Sequence, residues 1–81
     1  MPSEMEVKEF VTRMAQIPQV NDFDGEGYKA MRKIGEEING QWGKSGMQLV
    51  LKYYREHIPR NSATIPPMIE AIWDGIGEWM A

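Results

Sequence analysis

Apolar residues recur along this chain at three- and four-residue spacing rather than in alternation. Val7, Phe10, Val11 and Met14 fall at i, i+3, i+4 and i+7, which is one face of a helix. Ser3 and Glu6 precede them with the spacing of a capping box, and Pro18 places the helix end near Gln16. A second stripe runs through Tyr28, Met31, Ile34, Gly35 and Ile38. Asp24 and Glu26 suit the positive end of that helix, and Asn39-Gly40 is a stop signal. Gly35 lies inside the stripe, where a missing side chain lets another helix approach closely. The third stripe is Met47, Val50, Leu51, Tyr54 and Ile58, opened by Ser45 and Gln48 at capping-box spacing and stopped by Pro59. Leu49 and Tyr53 project from roughly the opposite side of that helix. The fourth stripe is Ile69, Ile72, Trp73, Ile76 and Met80, with Pro66 suited to the first turn. Glu70, Asp74 and Glu78 stand at i, i+4 and i+8 on its other side. Gly75 and Gly77 weaken this last helix by about 1 kcal/mol each relative to alanine.

No segment alternates with period two. The pattern predicts an all-α fold: a small bundle of four short helices at about 4–16, 26–39, 46–57 and 66–79, forming a single helical domain over residues 1–81. Each stripe is too narrow to be buried alone, so the helices must pack face to face.

Composition narrows the chemistry. The 81 residues include no cysteine and a single histidine, His57. That excludes a disulfide framework, a thiolate metal site and a cysteine nucleophile, and leaves too little material for a histidine-rich cluster. No cofactor and no metal are expected. Apolar runs are only a few residues long, so no membrane span is expected. Met1-Pro2-Ser3-Glu4 has no signal-peptide character, and a cytoplasmic location is expected. The aliphatic mix is unusual, with seven methionines and only two leucines. Met14, Met31, Met47 and Met80 fall in the four stripes, one in each, so the methionines read as flexible core filling.

The net charge of −3 hides a gradient. Residues 1–27 carry two basic and six acidic side chains, residues 28–60 seven and three, and residues 61–81 none and three. The acidic ends can neutralise the basic middle within one molecule.

Candidate sites cluster between the second and third stripes. Gly43-Lys44-Ser45 matches the end of a phosphate loop, but Ile38 stands where that loop needs its first glycine, and a helix rather than a strand precedes it. What survives is an anion site at the Gly40–Gly46 turn, with Lys44 and Ser45 beside free N–H groups at a helix start. The spacing of Gly40 and Gly43 resembles the RNA-clamping loop of KH domains over four residues, although the chain lacks the strand pattern of their sheet. The second and third helices can also be drawn as a helix-turn-helix with Lys52, Arg55 and Arg60 toward nucleic acid. Asp22-Phe23-Asp24-Gly25 falls short of a calcium loop, because Val20 and Met31 occupy the positions that need carboxylates. The Glu70, Asp74 and Glu78 ridge reads as a solvated face. His57 has no neighbours placed to complete a catalytic triad.

Trp73 reads as core, while Trp42 and Trp79 read as lids folded over the bundle ends. Leu49 and Tyr53, with Trp42, form the candidate protein interface, since Trp and Tyr are favoured at such surfaces. The function expected is a small, non-enzymatic, cytoplasmic helical module. It acts through contact with a protein partner or with a second copy of itself. Nucleic-acid binding by the basic middle, with no membrane role, and small-ligand or anion binding at the Gly40–Gly46 turn are the alternatives.

Overall fold

The computed structural model describes residues 2–57 and 63–80, and every described regular element is helical. There are three helices in place of the four expected: α1 (Glu4–Gln16), α2 (Gly25–Glu56) and α3 (Pro66–Ile72). α1 and α3 each pack against α2. Among the described residues, no helix is long and apolar enough to cross a membrane.

α1 has the bounds and caps its sequence implies. The Ser3 hydroxyl accepts from the Glu6 N–H at 3.2 Å, and the Glu6 carboxylate accepts from the Ser3 N–H at 3.0 Å. These two bonds satisfy N–H groups that a helix start leaves unpaired. They also hold the Glu6 carboxyl below its ordinary 4.5, first through the Ser3 backbone bond. Val7, Phe10, Val11 and Met14 are all buried. Contacts of Phe10 with Trp42 and of Arg13 with Glu37 show α1 running antiparallel to the middle of α2.

α2 corrects the expected boundary between the second and third helices. The stop at Asn39-Gly40 does not operate: the hydrogen-bonded run continues from Gly25 to Glu56, broken only at Gly43, with φ 71° and ψ −162°. That region is open almost only to glycine. The anticipated loop is thus a one-residue kink, and Ser45 lies inside the helix. Packing offsets the weak propensity here: Trp42 meets Phe10 edge-on at 5.7 Å. Gly46 leaves room for the Trp42 Cβ, which an added Cβ would meet at 2.5 Å.

The fourth expected helix is also shortened. α3 ends at Ile72, because Gly75 and Gly77 take φ values of 89° and 56° and turn the chain back. Trp79 folds onto Trp73 at 5.3 Å, nearly perpendicular, and its indole N–H donates to the Glu70 carbonyl at 3.0 Å. The Glu70, Asp74 and Glu78 ridge therefore does not exist as one helix face. Met80, expected in the stripe, is 84% exposed, because helical periodicity no longer applies beyond Ile72. Met14, Met31 and Met47 are fully buried as their stripes require.

Trp73 holds the C-terminal segment on α2. Its ring lies directly over Gly35, where an added Cβ would stand 2.6 Å from the indole. Its N–H donates to the Met31 carbonyl at 3.0 Å. The close approach foreseen at Gly35 is therefore that of an aromatic ring rather than a helix backbone. Arg32 adds to the hold, donating to the carbonyls of Ile72 at 2.7 Å and Asp74 at 2.9 Å, where α3 leaves acceptors unpaired. Thr64, fully buried, accepts from the Val20 N–H at 3.0 Å, and its carbonyl accepts from the Tyr54 hydroxyl.

Candidate functional site

The connection between α1 and α2 is pinned at two points and open between them. Ile17 and Val20 are buried, and the Val20 N–H is held by Thr64. Gly27, in the first turn of α2, lets this loop lie close, since a Cβ there would reach a Val20 methyl at 3.1 Å. Asp24 then caps α2 by accepting from the Gly25 N–H at 2.8 Å.

An open groove of about 680 Å³ results between the end of α1, the loop and the start of α2. Ile17, Val20 and Ile34 form its apolar floor, and Arg13 and Gln16 of α1 stand on one wall. Glu26, Ala30 and Lys33 of α2 also line it; they recur at helical spacing and so share one face. Phe23, 59% exposed, is not part of the groove wall, but it lies between the lining residues Asp22 and Asp24 and meets a third, Tyr28, edge-on at 6.0 Å. A large apolar ring in that position lacks the cover that core rings have.

Charge divides the groove along its length. Asp22, Asp24 and Glu26 lie at the loop end, and Arg13 and Lys33 at the other. Arg13 grips Glu37 with two bonds of 3.2 and 2.7 Å, and its guanidinium stands 5.3 Å from the Phe10 ring centre. These bonds raise the Arg13 pKa and lower that of Glu37 from 4.5, with Lys33 adding a smaller pull on Glu37. The Arg13–Glu37 pair makes a planar, charge-neutral plate at that end of the groove.

The residues selected from sequence lie elsewhere. Trp42 is half-buried against Phe10. Leu49 and Tyr53 are half-buried and packed against the core cluster. Tyr53 also stacks on His57 at 4.2 Å, whose backbone N–H donates to the carbonyls of Tyr53 and Tyr54 at the end of α2. The second apolar strip is thus partly covered by the chain itself. Lys44 and Arg55 line one shallow depression with Glu70, and Arg55 pairs with Glu70 at 3.3 Å. Ser45 and Lys52 are exposed outside that depression, and Arg60 lies outside the described residues. The Gly40–Gly46 segment is helix on both sides of Gly43, so it does not form the open turn pictured for an anion. Among the described residues, no three His, Asp or Glu side chains gather as metal ligands.

Sequence reasoning missed the groove. Arg13 and Lys33 carry no motif, Asp22-Phe23-Asp24-Gly25 reads only as an incomplete calcium loop, and the signal that marks the place is a lone phenylalanine within the polar run 21–26. Compared with protein-family models, curated proteins and solved structures, the chain gives no match.

Proposed function

We propose that this chain is a cytoplasmic, non-enzymatic module that works through protein contact, and that the contact is made at the groove beside the start of α2. The observation that carries this reading is Phe23: a 59% exposed aromatic ring beside an open groove, flanked by the groove residues Asp22 and Asp24 and packed edge-on against a third, Tyr28. Aromatic anchors beside a concavity are typical centres of protein recognition. The strip at Leu49 and Tyr53 offers less, because the core already covers part of it. Two of the basic residues in the middle segment are engaged internally, Arg32 by backbone carbonyls and Arg55 by Glu70. That use favours protein contact over nucleic-acid binding.

The test places a photo-crosslinking phenylalanine analogue at position 23 in living cells. A parallel sample carries it at position 65, where Ile65 is similarly exposed at 56% but, unlike Phe23, has no neighbour in sequence that lines the groove. A discrete covalent adduct from position 23 and not from position 65 is expected. Absence of any adduct at position 23 overturns the reading.

A further inference from the structure

We infer that the occupant of the groove is a second copy of this chain, related by a two-fold axis that pairs the first turns of the two α2 helices antiparallel; the inference rests on the protein-contact reading above. A two-fold interface brings the same surface to both sides, so a charged patch must meet its own opposite. The groove wall meets this condition. Glu26 and Lys33 both line it, with Ala30 between them. At about 1.5 Å per residue they stand about 10 Å apart along α2. An axis passing near Ala30 sets Glu26 of each copy opposite Lys33 of the other, and the small exposed Ala30 side chain lets the helices approach. The Glu26 and Lys33 side chains make no hydrogen bond or close ion pair among the described residues, and Lys33 exerts only a minor electrostatic pull on Glu37 one turn on.

The same axis moves Phe23 of each copy toward the far end of the other groove. That end carries the Arg13–Glu37 plate, a planar surface on which an aromatic ring can lie with the guanidinium against its face. Asp22 and Asp24, which share the acidic end with Glu26, approach the partner's Lys33 and Arg13 together. One geometric operation thus covers the exposed ring, fills the groove and pairs both ends of the charge separation. An ordinary interface of about 800 Å² per copy would use about a sixth of the 4871 Å² surface.

Sedimentation velocity on the full chain tests this, with Glu26→Lys and Lys33→Glu as variants. The wild type is expected to sediment as a dimer, at twice 9.3 kDa, at a concentration of about 100 µM. Each single variant places like charges opposite one another and is expected to be monomeric with unchanged far-UV circular dichroism. Mixed in equal amounts, the two variants face each other with both pairs complementary, and dimers are expected to return. A wild type that stays monomeric overturns the inference. In that case a position-23 crosslink of another mass leaves the protein-contact reading standing, and no crosslink removes both. A wild-type dimer that survives either reversal places the interface elsewhere. A mixture of folded variants that fails to pair overturns the two-fold arrangement. Should Glu26→Lys lose helix, the exposed Lys33→Glu decides alone: folded and monomeric it supports the pairing, and folded and still dimeric it overturns it.

Discussion

Replacing Gly35 by alanine tests how the C-terminal segment is held on α2. The added Cβ would stand 2.6 Å from Cδ1 and Nε1 of Trp73 and 3.0 Å from its Cε2. Trp73 is fully buried, so its ring cannot swing into solvent and must push on its neighbours, Trp79 among them. Overpacking of this kind costs about 1–3 kcal/mol. Moving the ring also breaks the 3.0 Å bond from the indole N–H to the Met31 carbonyl, and a lost buried bond costs about 1–3 kcal/mol. Against this, alanine is the better helix former by about 1 kcal/mol. At the middle of these ranges the net loss is about 3 kcal/mol, which lowers Tm by about 12–24 °C in a chain of this size. Gly40→Ala is the control, because a Cβ there meets nothing within 4 Å. It gains the propensity term alone and raises Tm by about 3–6 °C. Thermal melts followed by far-UV circular dichroism, with the Trp73 indole N–H resonance as a local reporter, measure both. If Gly35→Ala melts at or above the wild-type temperature, the close approach of Trp73 does not hold the segment and the reasoning fails.

Gly43→Ala is expected to destabilise by about 1–3 kcal/mol although a Cβ there meets no neighbour, since φ is 71°; an unchanged urea midpoint would refute the strain argument. Arg13→Ala should return the Glu37 carboxyl, now held below 4.5 chiefly by the Arg13 hydrogen bonds, toward that value in an NMR titration. Because the folded-state pKa is depressed, the pair's contribution is present above the unfolded value and lost as pH falls through the folded one. Wild-type and variant stabilities should therefore differ modestly at neutral pH, both side chains being more than a third exposed, and converge in acid; a difference that grows in acid would reverse the sign and sink the argument. Thr64→Val removes the acceptor of the Val20 N–H, costing about 1–3 kcal/mol, and should speed hydrogen exchange at the Val20 amide more than at Met14; equal protection in variant and wild type would count against it.

Local signals in the chain were legible where local physics decides. The Ser3–Glu6 box and Pro18 bound α1 because a cap and a proline act within one turn. Asp24 marks the start of α2 for the same reason. The run through Gly40 was not legible, since a glycine disfavours a helix by only about 1 kcal/mol. Contacts distant in sequence, such as Trp42 on Phe10, outweigh that. The end of α3 was hidden for the opposite reason. Stripe residues at Trp73 and Ile76 are indeed buried, but in turns shaped by Gly75 and Gly77, so extending the period to Met80 failed. The groove was hidden because a loop has no period. Its charged walls meet only when α1 and α2 cross, which brings Arg13 to Glu37 and leaves Phe23 outside.

The seat that Gly35 provides for Trp73 also sets an order in time. The bonds that fix the C-terminal segment join Met31 to Trp73, Arg32 to Ile72 and Val20 to Thr64, separations of 42, 40 and 44 residues. During synthesis at roughly 5–20 residues per second, Gly35 emerges about 2–8 seconds before the indole that covers it. Through that interval α1 and the first half of α2 can pair, while Met31, Ile34 and Ile38 still lack their C-terminal cover. The nascent chain is therefore most exposed to wrong association until Trp73 and Trp79 have been made, and these two tryptophans act as the closing step of folding this domain.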